Sequence, residues 1–274
     1  MKKFTIKISL ILVCLTFFSA CSHLNKRDRP EPVPDILPGI PQGYIPMASV
    51  PNGLAILAPP PAENSAALQF DHEMNKQHLT MKGSKRWDMA TSDADLVFPN
   101  AAGIFSCAVD AQINEVDTPY LYVLLRRSAT DAGVSSYHAK KHYQRARPFM
   151  VNNEAICTSS SSEYFKTSGS YPSGHAAIGW TWALILAEIE PTKAETIFQK
   201  GLAFGESRLV CNLHWQSDVI AGRTMGAATV ARLQSEPMFN EAVAIAKEEL
   251  KAVREKGLKP TRDCKAESLA REKD

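Results

Sequence analysis

The chain has 274 residues, with 31 Lys and Arg against 29 Asp and Glu; 45% of it is hydrophobic and 22% charged. That apolar fraction excludes an intrinsically disordered protein. The formal net charge of +2 is too small for the concentrated basic face that nucleic-acid binding needs. Up to Pro61 the chain differs in character from the rest, which leaves one domain with enough apolar surface for a core.

Met1-Lys2-Lys3 opens with positive charge, residues 8–18 form an apolar run, and Ser19-Ala20-Cys21 follows. This is the layout of a bacterial secretory signal over residues 1–20. Lys7 cuts the run well short of the roughly 20 apolar residues of a membrane span. Cleavage before Cys21 would leave a thiol that can take a lipid and anchor the protein to the outer membrane; the alternative is ordinary secretion with Cys21 idle. Phe18 stands where a Leu-like residue is usual for lipidation. From Asp28 to Pro61 lie ten of the 17 prolines. Such density precludes a regular helix or central strand, so residues 21–65 are expected to be a tether that ends where it docks on the domain.

From Ala66 the apolar spacing is mostly three and four, and helices are expected over Thr118–Asp131, Ser135–Arg147, Ser173–Glu190, Ala194–Phe204, Ser217–Leu233 and Pro237–Val253. No run of alternating β-branched residues bounded by turns appears, so the fold class is all-α, a single-domain helical bundle over 66–257. Residues 258–274 read as a polar extension. Cys107, Cys157, Cys211 and Cys264 are an even set suited to an oxidising compartment, open to three pairings. No two of them have CxxC spacing and no His accompanies them in ligand pattern, so no metal is expected.

Three short blocks carry chemistry. In Lys140–Pro148, a helix would put Lys140 and Arg147 on one face about 10.5 Å apart along the axis, able to converge on an anion. Pro148 ends that segment. Taken alone, such residues are the ordinary content of a solvated helix face, and Lys141 and Arg145 are expected to be rim charges. In Gly169–His175, Gly174 admits close backbone approach and Ser173 can cap or donate. The free amides at the start of the next helix suit a phosphate, with His175 on the first turn. A capped helix with an incidental histidine fits this block equally well. In Ser207–Asp218, His214 and Asp218 are four apart, so a carboxylate could fix the tautomer of an imidazole and leave one nitrogen free as nucleophile or base. A structural His–Asp pair is the plain alternative.

Together the three blocks resemble the signature of the phosphatidic-acid-phosphatase type 2 (PAP2) superfamily, K-x6-RP, PSGH and SR-x5-H-x3-D, in order and with no residue missing. GSYPSGHA and SRLVCNLHWQSD are similar to the bacterial class A non-specific acid phosphatases, over about Ala66 to Val253. Ala176 in place of a usual Thr and the long proline-rich leader depart from that branch. The resemblance implies an all-α bundle that hydrolyses phosphate monoesters through a phosphohistidine, with no metal or other cofactor. It implies His214 as nucleophile, Asp218 as its orienting partner and His175 as the acid for the leaving alcohol. Lys140, Arg147, Arg208, Ser173 and Gly174 would bind phosphate. Small phosphomonoesters are the implied partners, with no nucleic acid and a membrane reached only through Cys21; a homo-oligomer is compatible with the sequence.

Three other readings share these motifs. A lipid-phosphate phosphatase is disfavoured because no spans surround them, and the apolar helix 176–189 is only about 21 Å long. A vanadate-dependent haloperoxidase would use the same cradle. A silent phosphate-binding lipoprotein would not need the complete catalytic set.

Overall fold

A computed structural model describes residues 29–158 and 162–271. The signal sequence and Cys21 lie outside these residues. Thirteen helices are present among the described residues: α1 Gly53–Ile56, α2 Ala66–Leu79, α3 Lys85–Ser92, α4 Ser106–Val109, α5 Pro119–Ser135, α6 Tyr137–Tyr143, α7 Pro148–Asn152, α8 Ser162–Thr167, α9 Gly174–Ile189, α10 Ala194–Val210, α11 Gln216–Leu233, α12 Pro237–Glu255 and α13 Cys264–Arg271. The one sheet among them is a two-stranded antiparallel ribbon, β1 Asp35–Leu37 with β2 Ile40–Pro41. The architecture is therefore all-α. No helix among the described residues is long and apolar enough to cross a membrane.

The bundle is organised around α9. Ser173 caps its start by accepting from the Ala176 N–H at 3.3 Å, and the helix stops at Glu190, before Pro191. Ile178, Trp182, Ile185, Leu186 and Ile189 point inward, but Ala176, Ala177, Thr181 and Ala183 are buried as well. A helix that is apolar on every side belongs in the interior, and α9 is enclosed by α5, α10, α11 and α12. Trp182 is fully buried, and its indole N–H donates to the Leu125 carbonyl of α5 at 2.9 Å. Glu249 of α12 caps α5 by accepting the backbone N–H groups of Tyr120 and Leu121 at 3.1 and 3.0 Å.

The proline-rich stretch forms only the ribbon, a 3₁₀ turn and one-turn α1, as expected of residues that cannot donate to a ladder. It lies against the bundle along α5. Thr130 donates to Pro41, Arg127 to Gly43, and the Asp131 carboxylate accepts from the N–H groups of Tyr44 and Ile45 at 2.8 and 3.2 Å. Burial pushes the Asp131 carboxyl up to about 6, against those two backbone donors and Arg127. Further on, the Tyr171 hydroxyl donates to Ala58 at 2.7 Å, so the strap reaches the loop that precedes α9.

Beyond Gly257, within the segment read as a polar extension, Cys264–Arg271 form α13. A Cys107–Cys264 disulfide holds it, and Glu267 pairs with the fully buried Lys200 at 3.2 Å. The second disulfide is Cys157–Cys211.

The contact that decides where the site forms is between α9 and α11. A Cβ at Gly222 would stand 2.4 Å from the Ser173 carbonyl oxygen, and one at Gly226 would stand 2.6 Å from that of Ala177. Bare backbone on α11 therefore lets the start of α9 come close enough for the Ser173 N–H to donate to the Asp218 carbonyl at 2.9 Å. Two of the three sequence blocks meet through this bond. Gly222→Ala must push the helices apart, since a backbone carbonyl cannot step aside. The expected loss is about 1–3 kcal/mol in urea denaturation, with activity falling further than stability. Wild-type stability and activity in that variant would show that the close approach is not required.

Candidate active site

The first block folds differently from a single helix ending at Arg147. Helix α6 stops at Tyr143, and Gln144 adopts a left-handed backbone with φ +43°. The reason is tertiary: the backbone at Gly169 packs on this end, where a Cβ would lie 2.7 Å from the Lys140 carbonyl, and the Ser170 N–H donates to Arg145 at 2.9 Å. Arg147 is extended ahead of Pro148, as the residue before a proline favours. Lys140 and Arg147 therefore do not share a helix face; they converge because the chain turns back. The Lys140 ammonium donates to the carbonyls of Gly169 and Ser170 at 2.9 and 3.3 Å. The Arg147 guanidinium donates to Phe165, Ser168, Gly169 and Leu213 carbonyls at 3.0–3.3 Å.

In the third block α10 ends at Val210 and the chain reverses through Asn212, at φ +59°. The Leu213 and His214 N–H groups both return to the Arg208 carbonyl, and the Cys157–Cys211 disulfide and an Asn75–Asn152–Asn212 amide cluster fix the outside of the turn. His214 thus stands ahead of α11 rather than on it. Asp218, in the first turn of α11, accepts the Trp215 N–H at 2.8 Å and faces His214 Nδ1 at 3.3 Å.

A cleft of about 510 Å³ is lined by Lys140, Arg147, Gly174, His175 and His214 among others. The two imidazoles share this one cavity. Ser173, Arg208 and Asp218 are fully buried and form its backing.

The bonding fixes both tautomers. The guanidinium of Arg147 can only donate, and its Nη1 lies 3.0 Å from His214 Nε2, so Nε2 carries the lone pair and Nδ1–H faces Asp218. The Ala94 carbonyl can only accept, and it lies 3.2 Å from His175 Nε2, so that nitrogen carries a proton.

Charge in this space is strongly one-sided. Arg208 is fully buried, and none of its three guanidinium nitrogens has a hydrogen-bond partner among the described residues. Burial, and then Arg147, bring it down to about 9. Burial and neighbouring Arg147 lower Lys140 to about 7, and burial lowers Arg147 to about 10. Burial holds both histidines well below the usual imidazole range. For His214 the cations Arg147, Lys140 and Arg208 add to the effect, and for His175 Arg208 does so most. Burial raises Asp218, while Arg145 opposes it. An unpartnered guanidinium aimed among two more cations is a site for a compact polyanion. No group of three His, Cys, Asp or Glu among the described residues could hold a metal ion.

The PAP2 superfamily model matches residues 118–235. The chain is 42% identical over 200 residues to a non-specific acid phosphatase of Salmonella typhimurium, covering 73% of this chain and 80% of that protein. A non-specific acid phosphatase of Salmonella typhi is 40% identical over the same shares, and one of Providencia stuartii is 38% identical over 75% of this chain and 84% of that protein. The chain belongs to the non-specific acid phosphatases of the PAP2 superfamily.

Two residues at this family site escaped the sequence reading. Arg145 is not a rim charge: its side chain is 10% exposed and bridges Asp218 and Asp71 at 2.7 and 2.8 Å. Its flanking turn, not a helix face, points it inward. Lys141 does stand exposed at the cleft edge. Asp71 comes from α2, whose buried face is polar: Asp71, Asn75 and His78, four and three apart. That stripe was the available signal. Of the remaining histidines, His72 packs edge-on against Trp215, His78 bonds to Met74 and Glu206, and His138 and His142 are exposed.

An unpaired buried charge costs stability when nothing occupies the site. Arg208→Met is expected to raise the melting temperature in anion-free buffer and to remove the further rise that inorganic phosphate gives the wild type. A lower melting temperature without anion, or retained stabilisation by phosphate, would count against this assignment of Arg208.

Proposed function

We propose that the protein is an exported acid phosphatase of broad specificity that hydrolyses phosphate monoesters through a phosphohistidine at His214, without a metal ion. The observation that carries the reading is His214 on the wall of the cleft, its ring held well below the usual imidazole range by burial and by Arg147, Lys140 and Arg208, and its Nε2 accepting from Arg147. The relatives' names supply the reaction class.

A phosphate ester entering the cleft brings up to two negative charges to three cations and to the amides at the start of α9, where Ser173 and Gly174 lie. Arg147 turns its donor from Nε2 to a phosphoryl oxygen. The Nε2 lone pair then attacks phosphorus, the ester P–O bond breaks, and His175 hands its proton to the leaving alkoxide. Asp218 holds Nδ1–H throughout and stabilises the charge that develops on the ring. In the second half His175 takes a proton from water, the hydroxide attacks phosphorus, the P–N bond breaks and inorganic phosphate leaves.

The protonation states follow from the same electrostatics. In the empty cleft burial, reinforced by the cations, keeps both rings neutral, as a nucleophile requires and an acid does not. A bound dianion cancels most of the field at His175, so its affinity for a proton rises and it charges as substrate arrives. Activity is therefore bell-shaped and lies toward acid, because the proton must be available when the dianion binds.

The export reading rests on residues 1–20, with Cys21 as lipid acceptor and the periplasm as compartment. Two disulfides suit that oxidising location. The catalytic set lies within 66–257.

Purified protein is expected to release phosphate from p-nitrophenyl phosphate below neutral pH in excess EDTA; full loss on chelation would rule out the mechanism. His214→Ala should abolish turnover and the acid-labile adduct. His175→Ala should still form the adduct from an activated ester while losing about 10²–10⁴-fold on alkyl phosphates. Sulfate, a dianion with no proton of its own to lose, should bind near pH 6 with net proton uptake, measured by calorimetry in buffers of different ionisation enthalpy. Proton-neutral binding would contradict the proposed role of His175.

A further inference from the structure

The side chain behind the catalytic pair is itself held by a second carboxylate. Asp218 uses Oδ2 for the Trp215 N–H and His214 Nδ1, and Oδ1 for Arg145 Nη1 at 2.7 Å. The other nitrogen of the same guanidinium, Nη2, donates to Asp71 Oδ2 at 2.8 Å. Asp71 is fixed in turn by the Ser217 N–H at 2.8 Å on Oδ1 and by the Ser217 hydroxyl on Oδ2. Arg145 Nη1 also reaches the Ser217 hydroxyl at 2.8 Å, and the guanidinium lies 5.5 Å from the Trp215 ring centre. Asp71, Arg145 and Asp218 are all buried or nearly so, and they come from α2, the turn after α6, and α11. One planar fork thus spans two buried carboxylates, a task a lysine cannot perform.

We propose that Arg145, pinned by Asp71, is a positioning residue for His214: it holds the Asp218 carboxylate charged and aimed so that the ring keeps its proton on Nδ1 and its lone pair on Nε2. The inference rests on the proposed role of His214 as nucleophile. Arg145 is not among the side chains that line the cleft; its hydrogen bonds run to Asp218, Asp71 and Ser217, and it reaches His214 through Asp218. The charged and titratable groups that act on Asp218 are Arg145, Lys140, Arg147, His214 and Tyr171, with Asp71 across the guanidinium. Burial favours a neutral Asp218, and Arg145 is the strongest opposing charge. Without Arg145 the carboxyl takes up a proton at higher pH, its negative charge is lost, and the developing imidazolium at His214 loses its counter-charge.

The test compares Arg145→Gln, Arg145→Lys and Asp71→Asn in the full chain. Arg145→Gln is expected to lower kcat roughly 10–100-fold with KM little changed, and to move the acid limb of the pH profile up by about one to three units. Arg145→Lys keeps a charge and should restore the limb, while recovering kcat only in part. Asp71→Asn should lower kcat several-fold at unchanged KM in the folded protein. Proton NMR of the free protein should show a downfield His214 Nδ1–H that Arg145→Gln removes. Should Arg145→Gln fail to fold, Arg145→Lys and Asp71→Asn carry the test. An unmoved limb in Arg145→Gln, a KM effect in place of a kcat effect, or wild-type kcat in Asp71→Asn overturns the proposal. If the wild type hydrolyses no phosphate monoester, the proposed function fails, and the Nδ1–H resonance still reports on Arg145 independently.

Discussion

The site depends on three cations kept out of water with fewer carboxylates than charges beside them, Asp218 for Lys140 and Arg147 and Asp93 for Arg208. Lys140 and Arg147 line one cleft with Arg208 buried behind it, and the carboxylate that acts on the first two, Asp218, is already engaged by Arg145. Backbone carbonyls satisfy the hydrogen-bonding capacity of Lys140 and Arg147, which offsets part of their desolvation without cancelling their charge. Arg208 lacks even that. Such a group is an expense to the empty fold, and it persists because the surrounding structure dictates its place. Under the proposed function a tetrahedral dianion supplies the missing charge, which would make binding energy and fold strain two sides of one arrangement.

Holding these cations together requires rigidity on every side. The start of α9 is locked to α11 by the Ser173–Asp218 backbone bond that Gly222 makes room for. The turn carrying Arg208 and His214 is closed by two amides on one carbonyl and braced by the Cys157–Cys211 bridge. The strap from Pro41 to Ala58 packs α5 and reaches Tyr171 beside Ser173. At the rear, Ser207, next to Arg208, donates to Asp93, which also pairs with Lys200, and Lys200 in turn meets Glu267 of the disulfide-held α13. Apart from the two amides on the Arg208 carbonyl, these braces join segments remote from one another in sequence.

This distribution explains what could be read from the chain alone. The central helix was legible because its apolar content and its Ser173 and Pro191 boundaries are local facts. The three blocks were legible because their residue types are rare in combination, and the helical class followed from the apolar spacing. The end of α6 was not: the left-handed Gln144 answers to the Gly169 backbone that packs there, and no local preference predicts that contact. Arg145 read as a surface charge for the same reason. Its two partners lie 74 and 73 residues away, and only the tertiary fold brings them to it. The polar buried face of α2 was visible in the spacing of Asp71, Asn75 and His78, but a polar stripe ordinarily faces solvent, so its inward turn had to be seen.

In the proposed mechanism the same charges order the events of catalysis. Burial first, and the cations around them second, suppress protonation of both imidazoles while the cleft is empty. That environment suits His214, which must offer a lone pair, and it silences His175, which must offer a proton. A phosphoryl dianion falls among Lys140, Arg147 and Arg208 and cancels the field where it lies. His214 then carries the bond being formed, so the ring free to respond is His175. On that reading His175 becomes competent as an acid only when a dianion is bound. In that mechanism one set of buried charges serves recognition and also switches the general acid on.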